Sequence, residues 1–390
     1  MDRRVGFGWD NRPIFRLGRV GRLELRTRFQ EDFRRSDALP EGQSWLWAMR
    51  RVGVGGQIAG RFDFELTAEA GLDNPWRDVY VNYRQFQAVQ VQAGKFKLPF
   101  GLDQLTGATV LELVYRSRIG DQLSPGRDRG VMVHGRLFNR AVGYQAGVFD
   151  HDGGNARTTD PARVIAGTTF AGRVVALPLR STKTAFADLQ VGGGLTLSNV
   201  DEGLLGLRGR TALRQVFFSP AIPVNGLQQR VGIDAQWRPG PFSVKTEYIH
   251  ASVERNGQSA TGGDLAPIHG RGWYLMGSWA VTGERKAVGV DVPQRPLFGG
   301  GIGAIEVAAR IEELAFASAV RTGIPSTDPR ADQIAGNTDR IETVGVNWFP
   351  NQWMKVQFNL IHETIDDPTT WPVPGVDTLW TRVLRLQFKF

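Results

Sequence analysis

The chain has 390 residues, a net charge of +8 from 47 Lys and Arg against 39 Asp and Glu, and no Cys; its mean hydropathy is −0.25. No uncharged apolar run reaches the ~18 residues of a helical membrane span, because Arg173 interrupts Val164 to Leu179 and Pro220 and Pro223 break Val216 to Leu227. A transmembrane β-barrel escapes that test, since its strands alternate lipid-facing and lumen-facing residues.

The first residues, MDRRVGFGWDNRPIFR, carry charges but no apolar core of about 7–15 residues, so an exported barrel requires the chain to be a mature or truncated form. Period-two alternation begins at Gly21–Phe29, where Arg22, Glu24, Arg26 and Arg28 oppose Leu23, Leu25 and Phe29. It is cleanest at Arg61–Ala70, where Phe62, Phe64, Leu66, Ala68 and Ala70 oppose charged and polar residues in a pattern no helix tolerates. Similar runs follow at Val89–Phe96, Val131–Leu137, Ala141–Phe149, Phe170–Leu177, Leu189–Ser198, Leu207–Phe218 and Val231–Trp237. Phe242–Val253, Trp273–Val281, Ala304–Phe316, Ile341–Phe349, Met354–Ile361 and Trp380–Phe390 complete the set. The last of them puts Leu384, Leu386, Phe388 and Phe390 on one face and Val383, Arg385, Gln387 and Lys389 on the other.

Short turns such as RPGP at Arg238 and FPNQ at Phe349 alternate with long stretches around Arg255–Gly270 and Arg321–Asp339, the asymmetry of outer-membrane barrels. Roughly 24 residues per strand and connection predicts roughly 16 strands, an all-β transmembrane antiparallel β-barrel, and one domain over residues 1–390. Trp and Tyr near strand ends, such as Trp237, Trp273, Trp348 and Trp380, suit membrane-interface girdles.

One connection is unusual. After GKFKLPFGLDQL at Gly94, about 30 residues pass before the strand at Val131, carrying Leu105, Val110, Leu111, Leu113, Val114 and Tyr115. A loop that apolar, about residues 98–129, is best explained as one folded into the lumen of the barrel. This segment, with SPGRDRGV at Ser124, WRPGPFSVKTEY at Trp237, WYLMGSWAVTGE at Trp273, GAIEVAARIEEL at Gly303 and the terminal VLRLQFKF, resembles the phosphate-selective porin O and P family. The resemblance implies a 16-stranded trimeric barrel whose third loop folds inward, an Arg and Lys lining, and passage of anions such as phosphate or polyphosphate. It further implies outer-membrane lipid and lipopolysaccharide as surroundings, and recognition of Phe390 by the barrel assembly machinery.

Basic side chains along a narrow low-dielectric passage would supply anion selectivity. Lys95, Lys97, Arg116, Arg118, Arg127 and Arg129 lie in or beside the loop; Arg22, Arg26, Arg28, Arg208, Arg210, Arg214 and Arg310 lie on polar faces of predicted strands. Lys95 shares parity with Val89, Val91 and Ala93, so it either faces lipid or is turned inward by a bulge. Arg127 and Arg129 either line the pore or pair with Asp121 and Asp128, and Glu306, Arg310 and Glu312 read as a wall salt-bridge cluster. The resemblance further implies several Lys as well as Arg at the constriction of phosphate-specific members; with only 7 Lys beside 40 Arg, this chain fits a general anion passage better than tight phosphate preference, and coding bias toward Arg explains the same Arg count.

Catalysis finds little support. His134, His151, His250, His269 and His362 lack ligand spacing, no G-x-S-x-G elbow exists, and GGGIGA at Gly299 and DHDGGN at Asp150 read as turns. Neither a metal nor a cofactor is expected. A soluble basic β protein that binds nucleic acid is the competing class, and it would have to bury some 16 apolar strand faces elsewhere.

Overall fold

The computed structural model describes residues 5–37, 44–156, 166–218, 222–286, 292–318, 334, 336–367 and 376–390. Its strands, in chain order, begin with β1 (Val5–Trp9), β2 (Pro13–Leu17), β3 (Gly21–Ser36), β4 (Trp45–Ile58), β5 (Phe62–Glu69), β6 (Trp76–Tyr83) and β7 (Gln90–Lys97). They continue through β8 (Arg127–Leu137), β9 (Val142–Phe149), β10 (Thr169–Ala176), β11 (Gln190–Leu204), β12 (Gly209–Arg210), β13 (Val216–Phe218) and β14 (Pro223–Trp237). The rest are β15 (Phe242–Arg255), β16 (Leu265–Ala280), β17 (Ala304–Ser318), β18 (Asn337–Phe349), β19 (Met354–Ile365) and β20 (Thr378–Lys389).

Sixteen of these close into one antiparallel ring. Neighbours pair in sequence from β3 to β11, β11 pairs with β14, the order resumes to β20, and β20 pairs with β3. Closure leaves no unpaired edge in the wall, the condition for a sheet to cross a bilayer. The β1–β2 hairpin stands outside the ring and joins it below the seam, where Ile14 faces Glu24 and Arg16 faces Arg22. Trp9 packs there on Trp353 and on the ring of Phe390.

Alternation sorts the two faces. On β5, Phe62 and Leu66 are exposed outward whereas Glu65, Thr67 and Glu69 are buried inward. On β20, Leu384, Leu386 and Phe388 face out and Val383, Arg385 and Gln387 face in, which accounts for the pattern of the final residues. Trp237 and Trp348 cap their strands with indole N–H groups donated to the carbonyls of Ala185 and Ile302.

Two features depart from the sequence reading. The stretch Leu207–Phe218 is not a wall strand: it holds the short pair β12–β13 around a turn at Arg214, whose φ is +68°. Leu205, Leu207, Phe217 and Phe218 bury inside the barrel, with Phe218 stacked on Phe316 at 4.6 Å. Apolar residues at period two satisfied themselves against an inner surface instead of lipid. The second departure is the connection from Ala280 to Ala304, a long one at the end of the barrel where the termini and the short turns lie. Its Lys286 is buried against Ser278 and Glu306. Most of the expected long loop Arg321–Asp339 lies outside the described residues.

Candidate anion pathway

Residues 98–126 join β7 to β8 through two short helices, α1 (Leu102–Leu105) and α2 (Arg118–Gln122). An irregular backbone inside a barrel must find partners for its N–H and C=O groups, and inward side chains of the wall provide them. Glu247 on β15 accepts the N–H groups of Leu102 and Asp103 at 2.8 and 3.1 Å. Asn359 on β19 accepts Val114 N–H at 2.7 Å, and Glu312 on β17 accepts Arg118 N–H at 2.6 Å. In return, Lys355 donates to the Leu111 carbonyl at 2.9 Å and Arg385 to that of Val114 at 2.8 Å. Glu112 meets Lys245 at 2.5 Å and Lys286 at 3.8 Å. The apolar residues of the segment, Leu113, Ile119 and Leu123, pack with Phe100 and Phe316. Starting from β7, the segment thus touches the wall from β15 round to β20 and β3, where Gln30 reaches the Ala108 carbonyl.

The residues expected to line the pore separate into distinct groups. Lys97 and Arg116 hold the segment itself: Lys97 donates to the carbonyls of Gln104 and Thr106, and Arg116 to those of Asp103 and Thr106. Arg118 is buried, donating to the carbonyls of Arg116 and Thr211 at 2.9 and 3.2 Å and lying 3.4 Å from Asp121. Arg127 grips Asp78 in a fork at 2.9 Å, not Asp121 or Asp128. Arg310 pairs with Glu312 and donates to the Tyr115 carbonyl at 3.0 Å, a wall cluster as the sequence suggested.

Lys95 and Arg129 are corrected. They are register partners on the outward parity of β7 and β8, shared with exposed Val91 and Val131; Lys95 donates to the Trp76 carbonyl and Arg129 pairs with Asp150 at 3.0 Å. Strict alternation held, and no bulge rotates them inward. Arg208, Arg210 and Arg214 are corrected as well, since Arg208 precedes the inner hairpin, Arg210 lies on β12 and Arg214 in the loop to β13, none of them on a wall strand; Arg214 is exposed, 3.9 Å from Asp121.

Arg22, Arg26 and Arg28 do share the inward face of β3, interleaved with acids. Glu24 binds Arg22 at 2.7 Å, and Glu65 binds Arg26 at 2.7 Å and Arg28 at 3.5 Å. Arg26 and Arg28 border a cavity of about 400 Å³ together with Arg12, Lys389 and Phe390.

A larger cavity of about 1030 Å³ lies under Leu102, Leu105 and Thr106 of the crossing segment. Arg84, Arg136, Arg140 and Arg180 line it, among amides that include Gln87, Gln90 and Gln145. Arg84 pairs with Asp63 at 3.3 Å, whereas Arg136, Arg140 and Arg180 form no ion pair among the described residues. Sequence reasoning missed these groups. Arg136 shares strand parity with inward Met132, a signal that was legible; Arg140 and Arg180 sit in turns, where parity says nothing. His134 opens on the same cavity and bonds Asn82 at 2.9 Å. No group of His, Cys, Asp and Glu suited to a metal ion occurs among the described residues.

A closed ring of 16 strands, apolar outside and lined by guanidinium and amide groups inside, defines a β-barrel porin. Residues 23–390 match the family described as phosphate-selective porin O and P, and the chain belongs to that family. It is therefore an outer-membrane channel of a Gram-negative bacterium. Porin O of Pseudomonas aeruginosa is 25% identical over 354 residues, covering 85% of this chain and 77% of the relative. Among solved structures, the anion-selective porin from Comamonas acidovorans shares the fold with a TM-score of 0.58 and 12% identity, covering 94% of this chain and 99% of its own. The channel DcaP of Acinetobacter baumannii also scores 0.58, at 8% identity, covering 99% of this chain and all of its own.

Proposed function

We propose that the barrel passes small oxyanions such as phosphate, with segment 98–126 as its constriction and the Arg-lined cavity below that segment as the region that concentrates them. The observation that carries this reading is the set Arg136, Arg140 and Arg180, three guanidinium groups without an acidic partner among the described residues. Arginines already matched by a carboxylate contribute little net field, whereas unmatched ones along a low-dielectric wall attract anions. Five of the seven lysines, Lys95, Lys97, Lys245, Lys286 and Lys355, are spent on the outer face or on holding the fold, which favours a general anion passage over tight phosphate binding. A homotrimer is part of this proposal, supported by the family and by the trimer form solved for OmpT of Vibrio cholerae. So is a role for Phe390 in recognition by the assembly machinery.

The test is the zero-current potential of refolded protein in a planar bilayer under a KCl gradient, with phosphate added afterwards. The Arg136→Ala, Arg140→Ala, Arg180→Ala triple variant is expected to lower the anion-to-cation permeability ratio several-fold, about one kcal/mol in relative permeability. An unchanged ratio removes these three from the pathway, and current unaffected by phosphate leaves a general anion porin.

A further inference from the structure

The outward face of β15 and β16 changes character at one level. Toward the termini it is apolar, with Val244, Tyr248, Trp273 and Leu275 exposed. One step further from the termini, His250 is the register partner of Arg271, and His269 follows two residues along. The imidazole centroids of His250 and His269 are 5.3 Å apart. All three side chains point away from the lumen, since Ile249, Ile268, Gly270 and Gly272 occupy the inward positions between them. Arg271 is exposed and forms no ion pair among the described residues.

Neighbouring carboxylates are engaged elsewhere. Glu313 lies 3.3 Å from Arg340, and Glu254 accepts Leu227 N–H at 2.8 Å and the Asn256 amide at 2.9 Å. At the corresponding boundary on β18 and β19 the charges are matched: Arg340 also meets Asp366, and His362 lies 3.6 Å from Glu342. The β15–β16 patch alone among these joins three cation-capable groups to no acid. A guanidinium at the rim of the apolar band lies at headgroup level, and its planar fork suits a phosphate oxygen pair. Trp273, immediately inside the rim, is the residue type that sits at headgroup level.

We propose that His250, His269 and Arg271 bind the phosphate of a glycolipid headgroup in the outer leaflet. This site is separate from the lumen and independent of which anion the channel passes. The patch faces outward at the end of the barrel remote from the termini, its acyl-facing neighbours continue the apolar band, and its charge complements a phosphorylated sugar. Lipid is thus held at a fixed place on the wall instead of forming an indifferent annulus.

Native mass spectrometry of the detergent-solubilised protein, titrated with bis-phosphorylated lipid A and with the same lipid A stripped of its phosphates, tests this directly. The wild-type protein is expected to retain phosphorylated lipid A about tenfold or more tightly than the stripped form. Equal retention of the two lipids overturns the proposal without any variant. In the His269→Ala, Arg271→Ala double variant the preference is expected to vanish, while Arg271→Lys retains part of it; a preference unchanged in the double variant assigns the lipid to another site. Inorganic phosphate is titrated as the competing source, and displacement of lipid A at equimolar free phosphate would identify a free-ion site and sink the headgroup assignment.

Discussion

Arg385 and Asp32 face each other across the seam where the last strand of the ring meets the first, joined by two hydrogen bonds of 2.6 and 2.8 Å. Asp32 is fully buried, and the remaining Arg385 nitrogen donates to Val114 in the crossing segment, so one guanidinium ties the closure of the wall to the contents of the lumen. Removing one member of a buried pair costs ~3–5 kcal/mol because the other is left uncompensated. Asp32→Ala is therefore expected to lower the urea midpoint of micelle-bound protein and to lose heat-resistant migration on gels. A midpoint equal to that of wild type would show that the seam is held by its backbone ladder alone.

Glu247 fixes the start of α1 by accepting two backbone N–H groups. Its replacement by Ala leaves both donors buried and unpaired, a penalty of ~1–3 kcal/mol each, and frees the first turn of the crossing segment. Single-channel records of Glu247→Ala should show larger and noisier conductance. A trace identical to wild type would place the anchoring in Lys355 and Arg385 instead.

On the inward face of β3, Glu65 holds Arg26 and Arg28. Glu65→Gln removes one negative charge and leaves both guanidinium groups facing the smaller cavity. The anion-to-cation permeability ratio from zero-current potentials should rise. A fall, or no change, would show that the 400 Å³ cavity is not on the conducting route.

Glu112 in the crossing segment is buried, and burial alone would raise its carboxyl; Lys245 and Lys286 more than offset that and hold it below the usual carboxylate range. A carboxyl depressed in the folded state contributes stability above its unfolded value, and that contribution is lost as pH falls through the depressed one. The conductance change that Glu112 controls should come only under strong acid, below the ordinary carboxylate value of ~4.3. Glu112→Gln should abolish that acid step and destabilise the segment at all pH values. An acid step of wild-type size in the variant would assign it to another group.

Most of the wall was legible because a bilayer imposes the simplest pattern a strand can carry. Arg61–Ala70 and Ala304–Phe316 matched β5 and β17 nearly end to end, since one face must meet lipid and the other water or charge. β4 escaped because Gly53, Gly55 and Gly56 blur its alternation, and β6 because it is short and bulged against Ala68. Leu207–Phe218 misled for the opposite reason: an inner hairpin packed on Phe316 produces the same alternation as a lipid-facing strand.

The site was less legible than the wall. Arg excess and an apolar loop indicated what the lumen holds, but which arginines are matched by acids depends on pairs such as Arg26 with Glu65 and Arg127 with Asp78, far apart in sequence. Parity placed Arg22, Arg26, Arg28 and Arg310 correctly and warned about Lys95. It had no purchase on turn residues such as Arg140 and Arg180, which supply part of the unmatched charge.

The seam also sets a timetable. Arg385 and Asp32 are 353 residues apart, and Phe390 exchanges backbone hydrogen bonds with Thr27, so the ring cannot close until β20 reaches β3. Until then both terminal strands present open, pairing-competent edges, and the slowest kind of contact is left to the final step. Survival of the half-built sheet thus depends on how quickly its two ends are brought together, so the yield of folded barrels is decided by a rate before any equilibrium is reached.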